Sequence, residues 1–142
     1  MKDTFNLHRF IKAQQGIYPG VVQELRAGQK RTHWMWYIFP QIIGLGESST
    51  SIEYAISSRD EAIAYLEHSI LGARLRECTQ LVLNLEGRTA AQIFAYPDTL
   101  KFRSCMTLFE ASAKDSKIFR DVLAKYFNGK ADLLTLEILK RQ

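Results

Sequence analysis

Lys30-Arg31-Thr32-His33-Trp34-Met35-Trp36-Tyr37-Ile38-Phe39-Pro40-Gln41 sets two cations and a histidine against four aromatics, then stops at proline. Trp34, Tyr37 and Ile38 have the i, i+3, i+4 spacing of one helical face, while Trp36 and Phe39 point elsewhere, so the run is apolar almost all round. It reads as a short helix starting near Thr32 and ending before Pro40, because the residue ahead of a proline disfavours the helical region. An aromatic run of this kind is a core segment, a pocket wall that stacks on flat or cationic groups, or both.

Outward from this run, the chain keeps returning to helical spacing. Upstream, Leu7, Phe10 and Ile11 mark a helix from Leu7 to about Gln15, and Val21, Val22 and Leu25 a second, ending at Gly28. Downstream, residues 44–51 (Gly-Leu-Gly-Glu-Ser-Ser-Thr-Ser) form a loop, and the alternation of Ile52, Tyr54 and Ile56 predicts one short extended segment near Ile52 to Ile56. Ser58 and Glu61 match a capping box, as do Thr89 and Gln92, and Asp98 is an N-cap candidate after Pro97. Leu71, Leu75, Cys78, Val82 and Leu85 recur at helical spacing, as do Phe119, Val122, Leu123 and Tyr126; a last helix covers Leu133 to Lys140. The prediction is an all-α fold of about six to eight short helices, one domain spanning residues 1–142.

Composition sets the class. The chain has 142 residues, enough to bury roughly 68–70% of its unfolded surface in one core. Two cysteines, Cys78 and Cys105, are too few for a disulfide framework and read as reduced core thiols of a cytoplasmic protein. No apolar run has membrane-spanning length, and the first ten residues lack the apolar core of a signal peptide. The net charge of +4 is uneven: residues 1–34 carry +4, residues 35–97 carry −3 and residues 98–142 carry +3. A folded molecule can thus present a basic face, suited to an anionic small molecule. No basic run exceeds two residues and no RNA-binding motif is present, which argues against nucleic acid as the partner.

No Walker loop, no dinucleotide fingerprint, no C-x-x-C, no H-E-x-x-H and no G-x-S-x-G occurs, and His8, His33 and His68 lack metal-ligand spacing. No metal and no cofactor is implied. Three constellations remain. Lys30, His33 and Gln41 bracket the aromatic run and are the polar groups a pocket there would use. Lys101, in the first turn of the helix opened by Asp98, suits an anion, with Ser104 one turn on along the same face. Residues 44–51 can turn amides toward a phosphate, although such a stretch is usually an ordinary turn.

The blocks H-W-M-W-Y-I-F-P-Q, G-L-G-E-S, Y-A-I-S-S and L-K-F-R-S-C-M-T-L-F together resemble a bacterial family catalogued as domain of unknown function 1810, some members of which carry a calpastatin label. The likeness runs from Leu7 to about Leu139. It implies a compact all-helical fold and supplies no activity. The family's characteristic blocks fall on His33, Trp34, Trp36, Phe39, Pro40 and Gln41, on Tyr54, Ser57 and Ser58, on Gly72, Arg74 and Leu75, and on Lys101, Ser104, Met106, Thr107 and Phe109. Where the family has Ser-Ser before the methionine, this chain has Ser104-Cys105.

These readings combine into a small-ligand domain for an anionic, phosphate-bearing, nucleotide-like molecule. Lys101 and Arg74 would neutralise the anion, Ser57 and Ser104 would donate hydrogen bonds, and Trp34 or Trp36 would stack on a flat moiety, with Lys30, Gln41 and Tyr54 as further ligand-binding residues. His33 and Tyr54 are the candidate acid–base groups should there be chemistry. The alternative is a non-catalytic helical module that binds another protein.

Overall fold

The structure is a computed structural model, and it describes residues 2–142. Ten helices are present among the described residues: α1 (His8–Gln14), α2 (Tyr18–Ala27), α3 (Met35–Ile38), α4 (Ser49–Glu53), α5 (Arg59–Glu67), α6 (Leu71–Asn84), α7 (Ala90–Phe94), α8 (Asp98–Ser112), α9 (Lys117–Phe127) and α10 (Leu133–Arg141). The all-α prediction is met, with more helices than the six to eight expected. Of the short helices, α3 falls within the helix expected in the aromatic run and α7 follows the expected Thr89–Gln92 capping box, whereas α4, five residues long and too short for a 3.6-residue period to show, falls where a loop and an extended segment were expected.

Helix α8 is the centre. Its residues Ser104 to Phe109 are all buried, the polar Ser104 and Thr107 included, so this stretch is enclosed on every side. The aromatic run and α7 each supply a neighbour: Phe39 packs edge-on against Phe102 at 4.8 Å between ring centroids, and Phe94 of α7 stacks on Phe102 at 4.4 Å. Trp34, Met35, Ile38 and Phe39 all belong to this core. Cys78 and Cys105 are free and buried, and burial pushes the Cys78 thiol up to about 12.

The extended segment near Ile52 to Ile56 is corrected. The Ser48 hydroxyl accepts from Ser51 N at 3.1 Å, so residues 49–53 wind into α4 and Ile52 is left exposed. Only Ile56 keeps an extended pairing, an isolated parallel bridge to Ile42. A local cap has overridden an alternation three residues long.

Two other caps also differ from expectation. Pro97, not Asp98, is the N-cap of α8, and the Asp98 carboxylate is turned to lysines instead. At α5 the Ser58 hydroxyl does cap Glu61 N at 3.2 Å, but the Glu61 carboxylate takes Ser57 N and Ser57 Oγ, both at 2.8 Å. Glu61 is drawn away because it is buried against Arg9, whose Nη2 lies 2.9 Å from Glu61 Oε2. The Thr89–Gln92 box forms in full.

Glu24 on α2 closes the entry to the aromatic run. Its carboxylate accepts from Arg31 N at 2.6 Å, Thr32 N at 3.0 Å, Thr32 Oγ1 at 2.6 Å and Trp34 Nε1 at 3.0 Å. Burial pushes this carboxyl up, but those four hydrogen bonds favour the charged form more strongly and hold it down at about 2. A carboxyl depressed by folding adds stability that is present above its unfolded value, near 4.5, and is lost as pH falls through the folded one. Glu24→Gln is expected to cost about 2 kcal/mol at pH 7. It should also flatten the decline in urea midpoint between pH 5 and 2.5; an undiminished acid decline in the variant would remove Glu24 as its source.

Candidate functional site

A cavity of about 290 Å³ opens between the C-terminal end of the aromatic run, the loop before α4, the start of α8 and the start of α10. Its walls are mostly apolar: Trp36, Ile42, Leu45, Tyr54, Leu100 and Leu134. The polar lining is confined to Gln41, Ser51, Lys101, Ser104 and Asp132. A mostly apolar concavity with a few convergent polar groups is the usual form of a small-molecule site, and this one is at the small end of the range.

Lys101 enters from the first turns of α8, with Nζ 4.4 Å from the centroid of the Trp36 ring. Asp98, one turn earlier, holds it at 3.2 Å through Oδ1 and holds Lys30 at 2.9 Å through Oδ2. Two lysines share one carboxylate, so the trio keeps an uncompensated positive charge, and Lys101 is the more exposed of the pair. Ser104 lies one turn beyond Lys101 on the same face, with its hydroxyl 2.9 Å from Asp132 Oδ2. Position 105 carries a thiol that is fully buried in the core, so the cavity hydroxyl is that of Ser104. Burial pushes the Cys105 thiol well up.

The glycine-bearing loop fits this wall tightly. A Cβ on Gly46 would lie 2.8 Å from Ser51 Oγ and 3.9 Å from the Trp36 ring, so only glycine allows so close an approach. Gly44, at φ +102°, makes the turn that brings the loop over the cavity. Tyr54 closes the far side, its ring edge-on to Tyr37 at 4.8 Å. Burial raises the Tyr54 phenol, and the neighbouring Glu53 carboxylate raises it further, so it stays a neutral hydroxyl.

Of the residues singled out in the sequence, Trp36, Gln41, Tyr54, Lys101 and Ser104 meet in this cavity. The other five lie elsewhere. Lys30 is buried against Asp98 and above the Trp34 ring, and Trp34 is core, its indole N–H given to Glu24. His33 is exposed and borders a separate shallow groove with Glu24 and Thr32, leaving no acid–base role for it at the cavity. Ser57 serves Glu61. Arg74 lies over the Tyr18 ring at 4.5 Å and donates to Gln14 Oε1 at 3.1 Å, a packing role. Gly44, Gly46 and Ser51 of the 44–51 stretch also line the cavity, whereas Asp132 was not singled out. Asp132 had a legible signal, an aspartate directly ahead of the apolar residues Leu133, Leu134 and Leu136, which marks an N-cap and says nothing about a cavity. Among the described residues no group of three or more metal-ligating side chains occurs, and no helix is long and apolar enough to cross a membrane.

Comparison with solved structures finds a chain of the same shape, the crystal structure of the conserved hypothetical protein Rv1873 from Mycobacterium tuberculosis. It is 50% identical, superposes with a TM-score of 0.96, and the match covers 97% of this chain and 99% of that one. Comparison with curated proteins finds no match. The family model described as "Protein of unknown function (DUF1810)" matches residues 4–139, nearly the whole chain, and the protein belongs to that family.

Proposed function

We propose that this domain binds a small, anionic, phosphate-bearing molecule of nucleotide type in the cavity beside Trp36. The carrying observation is that the partly exposed Lys101 faces the cavity between an aromatic wall and, one helical turn on, the Ser104–Asp132 pair. Lys101 meets the anion with a charge that Asp98 already divides between two lysines. Trp36 and Tyr54 give a flat moiety an apolar wall, and the loop at Gly44 and Gly46 brings main chain close to it. The volume admits a mononucleotide-sized group, or one end of something longer.

The test is a thermal-shift series with inorganic phosphate, AMP, ADP, ADP-ribose and NAD on wild type and Lys101→Ala. A ligand at about a hundred times its dissociation constant adds about 2.7 kcal/mol, a rise on the order of 5 °C for a chain of this size. Lys101→Ala should leave the unliganded melt nearly unchanged, because Asp98 keeps Lys30 as its partner, while weakening the ligand about tenfold or more. No shift with any of these ligands would favour the helical interaction module instead. The large exposed residues Tyr96, Leu100, Leu133 and Leu134 would then be its contact surface.

A further inference from the structure

We infer that Asp132 determines which ligands the cavity accepts, by taking a hydrogen-bond donor of the ligand on its free Oδ1. This rests on the nucleotide-type reading and adds the part of the ligand that is read. The Asp132 carboxylate is fixed from several sides. Its Oδ2 accepts from Ser104 Oγ at 2.9 Å, Thr135 Oγ1 at 2.5 Å and Thr135 N at 3.3 Å, which fills that oxygen. Its main-chain N–H donates to Thr107 Oγ1 at 2.9 Å. Arg103 grips the two preceding carbonyls, Lys130 O at 3.0 Å and Ala131 O at 2.8 Å. Far more holds this aspartate than an ordinary helix cap has.

Oδ1 accepts nothing from the described residues. No described side-chain oxygen or nitrogen is both buried and unpartnered, so Oδ1 is accessible to solvent, and Asp132 is part of the cavity lining. The single proton of Ser104 is committed to Asp132 Oδ2 or to Leu100 O, 3.0 Å away, so at this end the cavity offers acceptors. One turn along α8, Lys101 offers only donors. A ligand that satisfies both ends carries an anion for Lys101 and an O–H or N–H donor for Asp132. In a nucleotide the donor is a sugar hydroxyl or the exocyclic amino group of the base.

Calorimetric titrations of AMP, 2′,3′-dideoxy-AMP and purine riboside 5′-monophosphate, which lacks the amino group, distinguish these sources on wild type and Asp132→Asn. Asparagine caps a helix as well as aspartate. With its amide oxygen serving Thr135, it would turn an NH2 donor toward the ligand. Wild type is expected to bind AMP about tenfold or more tightly than one of the two analogues, and which one names the group read. Asp132→Asn should weaken AMP by a similar factor and bind that analogue and AMP alike. Asp132→Ser, which keeps a capping oxygen and loses the carboxylate, gives the same readout if the asparagine variant folds poorly. Equal binding of all three ligands by wild type, or an unchanged preference in the variants, would overturn the role of Asp132 and leave the nucleotide reading standing. No binding of any of the three would overturn both.

Discussion

Gly72→Ala is expected to destabilise the protein by about 4 kcal/mol or more and to lower its melting temperature by roughly 10–15 °C. Gly72 sits in the first turn of α6, where the chain has just doubled back from α5. A Cβ there would lie 2.0 Å from the carbonyl oxygen of Leu66 and 2.8 Å from its carbonyl carbon. Those are main-chain atoms near the end of a helix, so no side-chain rotation relieves the overlap. Either α5 and α6 separate or the turn between them is rebuilt, and Leu71 and Leu75, both buried, are carried along. Gly20 on α2 is the control: nothing lies within 4 Å of its added Cβ, so Gly20→Ala should be neutral or stabilise by up to about 1 kcal/mol. A drop of less than 3 °C for Gly72→Ala would show that the α5–α6 turn opens freely.

The second large effect is at Arg9. Its guanidinium donates to four main-chain carbonyls, those of Phe5, Asn6, Glu53 and Ala55, as well as to Glu61. It thereby ties α1 to the segment between α4 and α5. Arg9→Ala strands the Glu61 carboxylate in the interior and leaves those carbonyls to find water, a loss of about 3 kcal/mol. Arg9→Lys keeps the charge but not the planar fork and should recover less than half of that loss. Because the cost is largely that of an orphaned charge, Arg9→Ala combined with Glu61→Gln should be less destabilised than the sum of the single changes. Strict additivity in urea unfolding would mean that the pair is not coupled.

These two positions show how far the sequence could be read. Helices with a full apolar period, such as α6 and α9, were legible, and so was the one-domain all-α class. Of the short helices, α3 was legible in the aromatic run and α7 through its capping box, whereas α4 was not, because it rests on the local Ser48 cap rather than on periodicity. Gly72 stood out only through the family blocks; its reason, an approach to Leu66, is tertiary. At the site, Lys101, Ser104 and Trp36 could be named because residue type and helical spacing pointed at them. Asp132 could not, because it reaches the cavity through a contact of α10 with α8, made 28 residues from Ser104. The aromatic run divides: Trp34 and Phe39 are core, while Trp36 is half-buried and faces the cavity. Lys30 and Arg74 had the right charge and the wrong place, each spent on an aspartate or an aromatic face that sequence order does not reveal.

The two tryptophans make the direct test of the cavity. Trp34 Nε1 is bonded to Glu24 outside it, whereas Trp36 lines it, so their indole N–H resonances report from two places in one molecule. Titrating 15N-labelled protein with AMP should move the Trp36 indole and the amides of Gly44, Gly46 and Ser104 while leaving the Trp34 indole in place. Saturating AMP that moves none of these, or that moves Trp34 and leaves Trp36 unchanged, would contradict a ligand site in this cavity.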